Sequence, residues 1–567
     1  MGLVTSALQI GRSALLAYQN AIYVTGDNIA NAGSNTFARR TPILTPLPSV
    51  GTALGYSTGL GVQLGSLKRN VDEALENRLR TAISDERSAL TEQYTLGRVE
   101  SLFNELSEYD LSSQLNEFFN AWADVQNTPQ DISTRGIVLT VGASLAESMH
   151  RMRNDLVQTH KELNEQITGT ADEINRLLGE VAGLNRQVVA AEAGGGTANS
   201  LRDQRDGALK ELSELVSIQI RQQEDGSVNV YAGNDLLVQA AMIRRVRVET
   251  KTVDGLATSQ VRFEDDNSLL DARGGALEGI LNSRQQHVLT PMASLNQLTA
   301  ALIQDVNRLH AEGQGLVGLT LVTGEYAVLD PALALNASGA GLNLVPQNGS
   351  FLITVTDDAG RSTVRQIDVD LDGIGPDTTL NDLAAALGAV DHISASVTAD
   401  GRLSITAEPG ASFTFSQDSS HVLAALGMNT FFSGSDASDI SMNPLLANSP
   451  ELLAVATENL EGDGSNAGRM AALANEISAT LGGNRSLIDF YNTIVGAVAV
   501  SGQAALNAVS AAGIITGSLK AQHESVSGVN LDEEAVQLMK FEKAYQGAAR
   551  YISVVDELIN ELIGLIR

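Results

Sequence analysis

The sequence contains no cysteine and a single tryptophan in 567 residues. Without cysteine the chain has no disulfides, no thiolate nucleophile and no thiolate metal ligand. Basic residues are also scarce, because 37 Lys and Arg stand against 67 Asp and Glu, which gives a formal net charge of -30. A surface of that sign repels a phosphate backbone, so no nucleic-acid partner is expected.

Membrane and targeting signals are missing as well. No run of about twenty uninterrupted apolar residues occurs, so no membrane span is expected. The start, MGLVTSALQIGRSALLAYQ, has no basic region ahead of a compact apolar run and no clean A-x-A cleavage site. We therefore expect the protein either to stay inside the cell or to leave it without a cleaved secretory signal.

Chemistry-bearing residues do not converge on a motif. The seven histidines are scattered, without an H-x-x-x-H pair or an H-E-x-x-H motif. The stretch DVDLDG, residues 368–373, copies the opening of a calcium loop, but Thr379 stands where a bidentate Glu is needed and the acids alternate with apolar residues as on a strand. The triple glycine 194–196 and the GASLA stretch 142–146 lack the remaining residues of a phosphate loop and a nucleophile elbow. We predict no enzyme, no cofactor and no metal site.

What the chain does have is a start almost free of charge. Arg12 and Asp27 are the only charged residues among the first 35. Apolar or small residues recur alternately every four and three positions, which predicts a heptad seam with a second row beside it, too wide for one partner helix. The seam consists of Leu3, Ala7, Ile10, Ala14, Ala17, Ala21 and Val24.

The C-terminal end repeats this pattern. Its seam consists of Leu538, Phe541, Tyr545, Ala548, Ile552, Val555, Ile559, Leu562 and Ile566. Asn530 or Asp532 is expected to cap the helix, with Glu533 and Glu534 in its first turn. Burial returns about 1.5 to 3 kcal/mol per large side chain, whereas ordering costs about 1 to 2 kcal/mol per residue. We therefore expect both ends to be mobile in a lone monomer and ordered when packed against each other and against neighbouring subunits.

The pattern between the two ends predicts an α+β multidomain fold. It consists of a long α-helical rod or bundle formed by the N- and C-terminal regions, an inserted β-rich domain and coiled-coil-like terminal helices. Hairpin turns are expected at residues 225–226, 254–255 and 400–401, a short helix at 381–387, and core packing for Trp122 with Phe118 and Phe119. The expected segments are an N-terminal assembly helix with an extended stretch (1–70), a helical rod (71–216), β-hairpins (217–272), returning helices (273–314), the inserted β domain (315–445), a further helical region (446–532) and a C-terminal assembly helix (533–567).

The stretch DNIANAGSNTFARR, residues 27–40, resembles the N-terminal signature of bacterial flagellar axial proteins. Matching positions are Asn28, Ile29, Ala30, Asn31, Phe37 and Arg39. Later segments, including SLRDQRDGALKELSELVSIQIRQQEDGSVNVYAGN at 200–234, ALGMNTFFSGSDASDISMN at 425–443 and the C-terminal end, are similar to the hook-associated protein 1 family. The resemblance covers nearly the whole chain and is weakest through about 315–420.

This resemblance implies an extracellular structural protein at the junction of hook and filament. It would be exported through the flagellar type III pathway and would bind other copies of itself, hook subunits, a second junction protein and a cytoplasmic chaperone at its C-terminal helix. The two seams, together with Asn28, Asn31 and Phe37 of the signature, would form the assembly interface. Hook or distal rod protein, and less favourably a secreted adhesin or hydrolase, are the alternatives, and the uncharged start could also dock only on its own chain.

Overall fold

The computed structural model describes residues 2–34, 36–48, 50–51, 57–103, 110–458, 460 and 462–565. Its α-helices are α1 (Gly2–Ala30), α2 (Glu73–Phe103), α3 (Leu111–Asn127), α4 (Ile132–Glu192), α5 (Asn199–Leu215), α6 (Gly275–Asn282), α7 (Thr290–Ala311), α8 (Leu380–Gly388), α9 (Val422–Ala425), α10 (Pro444–Ala447), α11 (Ser465–Ala472), α12 (Leu487–Ser527) and α13 (Leu531–Leu565). A π-helix, Ser283–Leu289, joins α6 to α7, and short 3-10 helices occupy Ser338–Ala340 and Pro450–Leu452.

The strands are short and pair in small antiparallel sheets. They are β1 (Arg40–Pro46), β2 (Val50–Gly51), β3 (Ser57–Thr58), β4 (Val62–Arg69), β5 (Gln219–Gln222), β6 (Val228–Ala232), β7 (Asp235–Gln239), β8 (Met242–Ile243), β9 (Val246–Val253), β10 (Leu256–Phe263), β11 (Leu321–Thr323), β12 (Gly349–Thr356), β13 (Ser362–Val369), β14 (Ile393–Val397), β15 (Leu403–Ala407), β16 (Ser412–Ser416), β17 (Phe432–Ser433) and β18 (Ser441–Met442). Long helices at both ends with β-sheets between them make this an α+β multidomain fold, as predicted.

The chain divides into two compact units. The terminal unit comprises residues 1–94, 162–283 and 504–567, and the central unit comprises 95–161 and 284–503. The division falls within α2, α4 and α12, so each of these helices contributes residues to both units. This grouping is coarser than the seven segments expected from the sequence, which stay a prediction.

In the terminal unit, hairpins follow the turn residues identified in the sequence. Strands β5 and β6 join around Asp225 and Gly226, where the Asp225 side chain accepts a 2.9 Å hydrogen bond from the Ser227 amide. Strands β9 and β10 join at Asp254 and Gly255, both with positive φ, which matches the twist of a two-residue hairpin. Strand β6 continues to β7 and β8 in a four-stranded sheet, while β1 pairs with β4.

The three glycines at 194–196 predict a flexible break between two helices, and helix α5 folds back along the end of α4 after them. Arg202 binds Glu192 at 2.7 Å, and Arg176 lies 3.6 Å from Glu211, so the two helices run antiparallel. The helical pattern ahead of these glycines predicts a helix of around fifty residues, and α4 has 61. It is separated from α3 by a short turn after Asn127, at a Pro-containing stretch.

The inserted part of the central unit is built on two three-stranded sheets. Their strand orders are β13-β12-β16 and β11-β15-β14. Their apolar faces and α8 enclose one core that includes Phe351, Phe413 and Phe415. Helix α8 begins with a reciprocal capping box between Thr379 and Asp382, which explains why a helix forms at the predicted place.

The remainder of the central unit packs around aromatic side chains. Phe118 and Trp122 of α3 are fully buried, and the Phe118 ring lies 5.5 Å from Phe431 and 5.7 Å from Phe432, centroid to centroid. Asp110 caps α3 by accepting a 2.6 Å hydrogen bond from the Ser113 amide. The predicted core role of Trp122 is therefore confirmed.

One stretch of the chain bears on the expectation that no segment spans a membrane. Among the described residues, the helical stretch Leu487–Glu561 is long and apolar enough to cross a membrane by length and composition alone, and its most apolar window is 17% buried. The sequence criterion demanded uninterrupted apolar residues, whereas α12 mixes Ala, Val and Ile with Gly, Ser and isolated amides. Small residues keep the average hydropathy high without forming a continuous apolar run.

Candidate assembly site

The two terminal helices pack against each other in the terminal unit. A Cβ atom added at Gly11 of α1 would lie 2.5 Å from Ile552 Cγ1 of α13, and Asn28 Nδ2 donates to Glu534 Oε2 at 2.9 Å. Because Gly11 pairs with a late residue of α13 and Asn28 with an early one, the helices run antiparallel. Glycine at position 11 permits this close approach, since a larger residue would collide with Ile552.

The N-terminal seam lies at this contact, but its most buried line is shifted from the predicted one. Ala17 and Ala21 of the predicted seam are buried. Ala7, Ile10, Ala14 and Val24 are half-buried. Two further buried positions, Gly11 and Thr25, belong to the second predicted row, and Asn28 is buried near the end of the helix. A single antiparallel partner covers the strip between two rows, where small residues allow the backbones to approach.

The C-terminal seam faces α1 along much of α13. Val555 is buried, and Leu538, Phe541, Tyr545, Ala548, Ile552 and Ile559 are half-buried. The side chains of Leu3 and Leu562, and residue Ile566, lie outside the described part of the structure. Contact of these seam residues with other copies stays a prediction.

The two helices retain apolar side chains that their mutual contact does not cover. On α13 these are Leu531, Val536, Met539, Tyr551, Val554, Leu558 and Ile563, each more than two-fifths exposed. On α1, Leu16 and Tyr23 are exposed. An apolar stripe wider than one partner helix was expected from the two rows of the sequence pattern. The exposed side chains could therefore take up a further partner.

The signature stretch begins while α1 is still helical. The residues after Val24 are rich in turn formers, which predicts that the helix ends there, but it runs to Ala30, six residues beyond Val24. Asn31 caps the helix end, because its Nδ2 atom donates to the Asp27 backbone oxygen at 2.8 Å and to Asp27 Oδ1 at 3.0 Å. Phe37 is half-buried, and the Arg40 guanidinium lies over its ring at 4.6 Å.

Asn28 occupies the centre of a buried polar network. It is 1% exposed, its Nδ2 atom also donates to the Arg40 backbone oxygen at 2.8 Å, and its Oδ1 atom accepts from the Arg40 amide at 3.0 Å. With the bond to Glu534, three of the four hydrogen bonds available to the amide are made. The side chain thus joins α1, the first residue of β1 and the first turn of α13.

The adjacent arginines extend this network in two directions. Arg39 Nε donates to Glu534 Oε1 at 2.7 Å, and Arg39 Nη1 lies 3.1 Å from the exposed Glu533. Arg40 binds Asp27 at 2.8 Å and Asp203 of α5 at 2.7 Å. Charge-assisted bonds of this kind are directional, so they fix the geometry between the elements that they connect.

The α5 acids were not identified as site residues from the sequence. Asp203 is buried and also binds Arg69 of β4 at 2.7 Å, and Arg69 binds Asp206 at 2.6 Å. The signal in the sequence was a helical pattern that places Arg and Asp on the buried face. Buried charges need partners, so this pattern indicates ion pairs with other parts of the chain. The partner residues lie more than a hundred positions away, so the sequence could not identify them.

A cavity of about 760 Å³ opens beside this network, within the terminal unit. Its lining includes Phe37 and a 2.6 Å ion pair between His523 Nε2 and Glu76 Oε1. Burial raises the pKa of Glu76, but the hydrogen bond and charge of His523 and the charges of Arg80 and Arg69 outweigh burial, so this pKa lies below its usual value. Both cations and carboxylates line the cavity, which favours no single ligand charge.

Among the residues that the structure describes, a group of three acids with ligand-like spacing lies in the inserted part of the central unit. Carboxylate oxygens of Asp370, Asp372 and Asp377 lie within 4.8 Å of one another, just after β13. Two of these acids accept backbone hydrogen bonds in the loop, Asp372 from Ile374 at 2.7 Å and Asp377 from Gly373 at 3.0 Å. Such bonds shape the turn, so the group has a structural explanation.

Comparisons with known proteins agree over nearly the whole chain. The family model of the flagellar hook-associated protein FlgK helical domain matches residues 96–323, and that of the flagellar basal body rod FlgEFG protein C-terminal region matches residues 520–565. Flagellar hook-associated protein 1 of Escherichia coli is 26% identical over 580 residues, covering 99% of this chain and 100% of that protein.

More distant relatives show the same similarity. Flagellar hook-associated protein 1 of Bacillus subtilis is 24% identical, covering 98% of this chain and 97% of that protein. A solved structure of the flagellar hook junction protein FlgK from Burkholderia pseudomallei has a TM-score of 0.51 at 16% identity, covering 80% of this chain and 100% of that one. At this identity the structural similarity concerns the fold.

Proposed function

Because the chain belongs to the flagellar hook-associated protein 1 family, we propose that it forms the junction between hook and filament by self-assembly through α1 and α13. Family membership places the protein in the bacterial flagellum and implies self-association and contact with hook or filament components. The assembly surface proposed here consists of the two seams with Asn28, Asn31 and Phe37, together with the exposed apolar side chains beside them.

The observation that supports this proposal is the incomplete cover of the paired helices. Val554 and Leu558 remain 53% and 55% exposed although α13 already packs against α1. Burying one such side chain is worth about 1.5 to 3 kcal/mol. A contact that repeats around an axis would bury the same side chains in every copy and would build a ring or a helical assembly.

The proposed partners follow from the same surface and from the family. They are further copies of the chain, hook protein, the second hook-filament junction protein and, before export, a cytoplasmic chaperone that covers the C-terminal helix. Export would use the flagellar type III route without a cleaved signal peptide. The role is mechanical and not catalytic, and we assign no cofactor to it.

Hook or distal rod protein is the alternative within the axial proteins. The match to the FlgK helical domain over residues 96–323 favours the junction role, because this region contains the long α4 helix and the α5 acids. A secreted adhesin or hydrolase would need a convergent binding pocket. The cavity beside Phe37 instead lies against the network that positions the terminal helices.

The experiment is motility and filament attachment in the source bacterium with its own gene replaced by a variant. Val554→Asp is expected to abolish filament attachment, because the carboxylate would be buried in the contact between copies. Ser553→Asp is the matched control, since it adds the same charge at a neighbouring exposed position of α13. Motile cells carrying Val554→Asp would overturn the proposed surface.

A second variant separates packing within one chain from packing between copies. Ile552→Asp disrupts the contact with Gly11 as well, so it should also release α1, which hydrogen exchange of the purified monomer would detect.

Removal of residues 533–567 should abolish chaperone binding while the circular dichroism melt of the remaining chain persists. Loss of that melt would show that α13 is part of the folding core.

A further inference from the structure

A second cavity lies in the terminal unit, next to the one lined by Phe37. Its volume is about 330 Å³, and it lies between the end of β4, the first two turns of α2 and α5, and strands β5 and β6. The charged residues of its lining are five bases and three acids, namely Lys68, Arg69, Arg80, Arg202, Arg205, Glu73, Glu76 and Asp206. An excess of positive charge is unusual in a chain with a net charge of -30.

Arg205 of α5 is a buried base in this lining that has only neutral hydrogen-bond partners. It is 3% exposed, and its Nη1 atom donates to Asn185 Oδ1 at 3.0 Å and to the Gly226 backbone oxygen at 2.8 Å. Its Nε atom is buried and has no acceptor among the described residues. A guanidinium stays charged in proteins, so its burial is costly unless an anion lies close to it.

The charges around Arg205 do not remove this cost. Burial lowers the pKa of Arg205, and the charges of Arg202 and Arg69 lower it further, while the charge of Asp206 opposes these effects only in part. Asp206 itself binds Arg69 at 2.6 Å. The position of Arg205 therefore favours an additional negative charge.

Arg80 of α2 is the second base with an unused donor. It is 7% exposed, and its buried Nε atom has no acceptor in the part of the chain that the structure describes. Its Nη1 atom makes only a long contact of 3.4 Å with Glu76 Oε2, because the other oxygen of Glu76 binds His523 at 2.6 Å. The cavity thus joins two buried guanidinium groups that keep free N–H donors.

The start of α5 adds to the preference for an anion. Its N-cap residue, Ala198, makes no side-chain hydrogen bond to the first turn, and Asn199 of that turn lines the cavity. The N-terminal end of a helix carries partial positive charge and binds anions well. Of the three acids in the lining, Glu76 and Asp206 are already paired and Glu73 is exposed.

We propose that this cavity binds a small tetrahedral oxyanion, phosphate or sulfate, between Arg205, Arg80 and Lys68. The planar N–H donors of a guanidinium match the oxygens of such an anion. The bound anion would connect α2 to α5 and so stabilise the part of the terminal unit that supports Arg69 and Asp203. This inference does not depend on the proposed junction role.

The test is calorimetric titration of the purified full chain with sodium phosphate and, separately, with sodium sulfate. Sodium chloride at the same ionic strength is the reference. Saturable binding is expected for both oxyanions and not for chloride. Hydrogen exchange at residues 73–80 and 199–206 should slow when phosphate is bound, because a ligand stabilises the state that binds it.

Two variants locate the binding site. Arg205→Met removes the charge and keeps a long side chain, and it should weaken phosphate binding roughly ten- to a hundredfold. Because this change also removes the bonds to Asn185 and Gly226, Lys68→Glu provides a second measurement at an exposed position. Lys68→Glu should weaken binding about fivefold, since exposed charges contribute less.

Lys520→Glu is the matched control. Lys520 is also exposed, but it lines the cavity beside Phe37 and not this one, so phosphate binding should stay unchanged. Equal weakening by Lys68→Glu and Lys520→Glu would show a general effect of charge and would overturn the proposal. The proposal is also overturned if neither oxyanion binds saturably, or if Lys68→Glu leaves binding unchanged. None of these results bears on filament attachment, which tests the junction role separately.

Discussion

The two units of this chain bury different kinds of side chain at their centres. In the terminal unit, the ends of α1, α13, β1 and α5 meet at a buried polar network built on Asn28, Arg40, Asp203 and Glu534. In the central unit, α3 meets its neighbours through aromatic rings that include Phe118 and Trp122. Both arrangements exclude water, but they impose different constraints on the elements around them.

The two arrangements differ in what they contribute: the aromatic cluster mainly adds stability, whereas the polar network mainly fixes the geometry of the elements around it. Apolar burial is non-directional and contributes in proportion to area, so the aromatic cluster stabilises the central unit strongly. In a buried ion pair the attraction between the charges is largely offset by the cost of desolvating them, so the pair contributes less net stability. Its hydrogen bonds do, however, fix the angles and distances between the elements that it joins. A junction protein needs both properties, a stable body and terminal helices held at a defined geometry.

The largest expected effect is in the aromatic cluster. Phe118→Ala should lower the free energy of unfolding of the central unit by about 3 to 5 kcal/mol, since it leaves a cavity among buried rings. Because the chain has one tryptophan, Trp122 fluorescence during guanidinium unfolding reports this unit directly. Val345→Ala, at an exposed position of the same unit, is the control and should shift the midpoint little.

The second effect tests whether the terminal network acts locally. Glu534→Gln removes the charge that pairs with Arg39 but keeps the size of the side chain. The free energy required for local opening of α1 should therefore fall by about 2 kcal/mol. Hydrogen exchange of α1 amides in the full chain measures this opening. The Trp122 unfolding midpoint should stay unchanged.

Glu533→Gln is the matched control for this prediction. Glu533 also binds Arg39, but its side chain is 60% exposed, whereas the side chain of Glu534 is 3% exposed. Surface pairs contribute about 0 to 1 kcal/mol. Equal acceleration of exchange in both variants would show that burial does not give the network its effect, and the contrast with the central unit would lose its basis.

The smallest effect is the pH dependence of the central unit. Burial lowers the pKa of His310 to about 4, while its hydrogen bond to the Asn429 carbonyl opposes part of that shift. The neutral ring accepts a 3.1 Å bond from the Ala454 amide, which a protonated ring could not do. In the unfolded chain a histidine binds a proton near pH 6.5. The contribution of His310 to the free energy of unfolding is therefore complete above pH 6.5 and falls as the pH drops toward 4.

Between pH 7 and pH 5.5 the central unit should lose about 1 kcal/mol from this residue. Trp122 fluorescence during guanidinium unfolding at each pH measures the loss. The His310→Gln variant should be less stable at pH 7 but should show a flatter dependence over this range. A slope equal to that of the unchanged protein would mean that other groups control the titration.

Local patterns in the sequence predicted much of the fold. Turn residues such as Asp225 and Gly226 predicted hairpins because φ preferences and short side-chain bonds act within a few residues. Asn530, one of two proposed caps, accepts hydrogen bonds from the first amides of α13. Heptad spacing located the contact between α1 and α13, because the periodicity of a helix determines which residues share a face.

The precise contacts were not available from spacing. Periodicity alone cannot distinguish two neighbouring rows of side chains on a helix. Which row is buried, here the one with Gly11 and Thr25, is decided by where the partner helix packs and how closely it approaches. Glu534 was expected to support the helix dipole in the first turn of α13, yet it is buried against Asn28 and Arg39. The exposed side of α12 was also missed, since a charge-free helix has the same sequence whether it is buried or uncovered.

Sequence alone determined the helical ends, the β insertion, the absence of thiol chemistry and the acidic charge, since these depend on composition and on neighbours within a turn or two. Tertiary structure decided which charges share a buried site and which apolar faces stay uncovered. Asn28 and Glu534 are separated by 506 positions in the chain, and their 2.9 Å bond exists only because α1 and α13 run antiparallel. Interactions over such separations depend on the path of the whole backbone, which no local pattern contains.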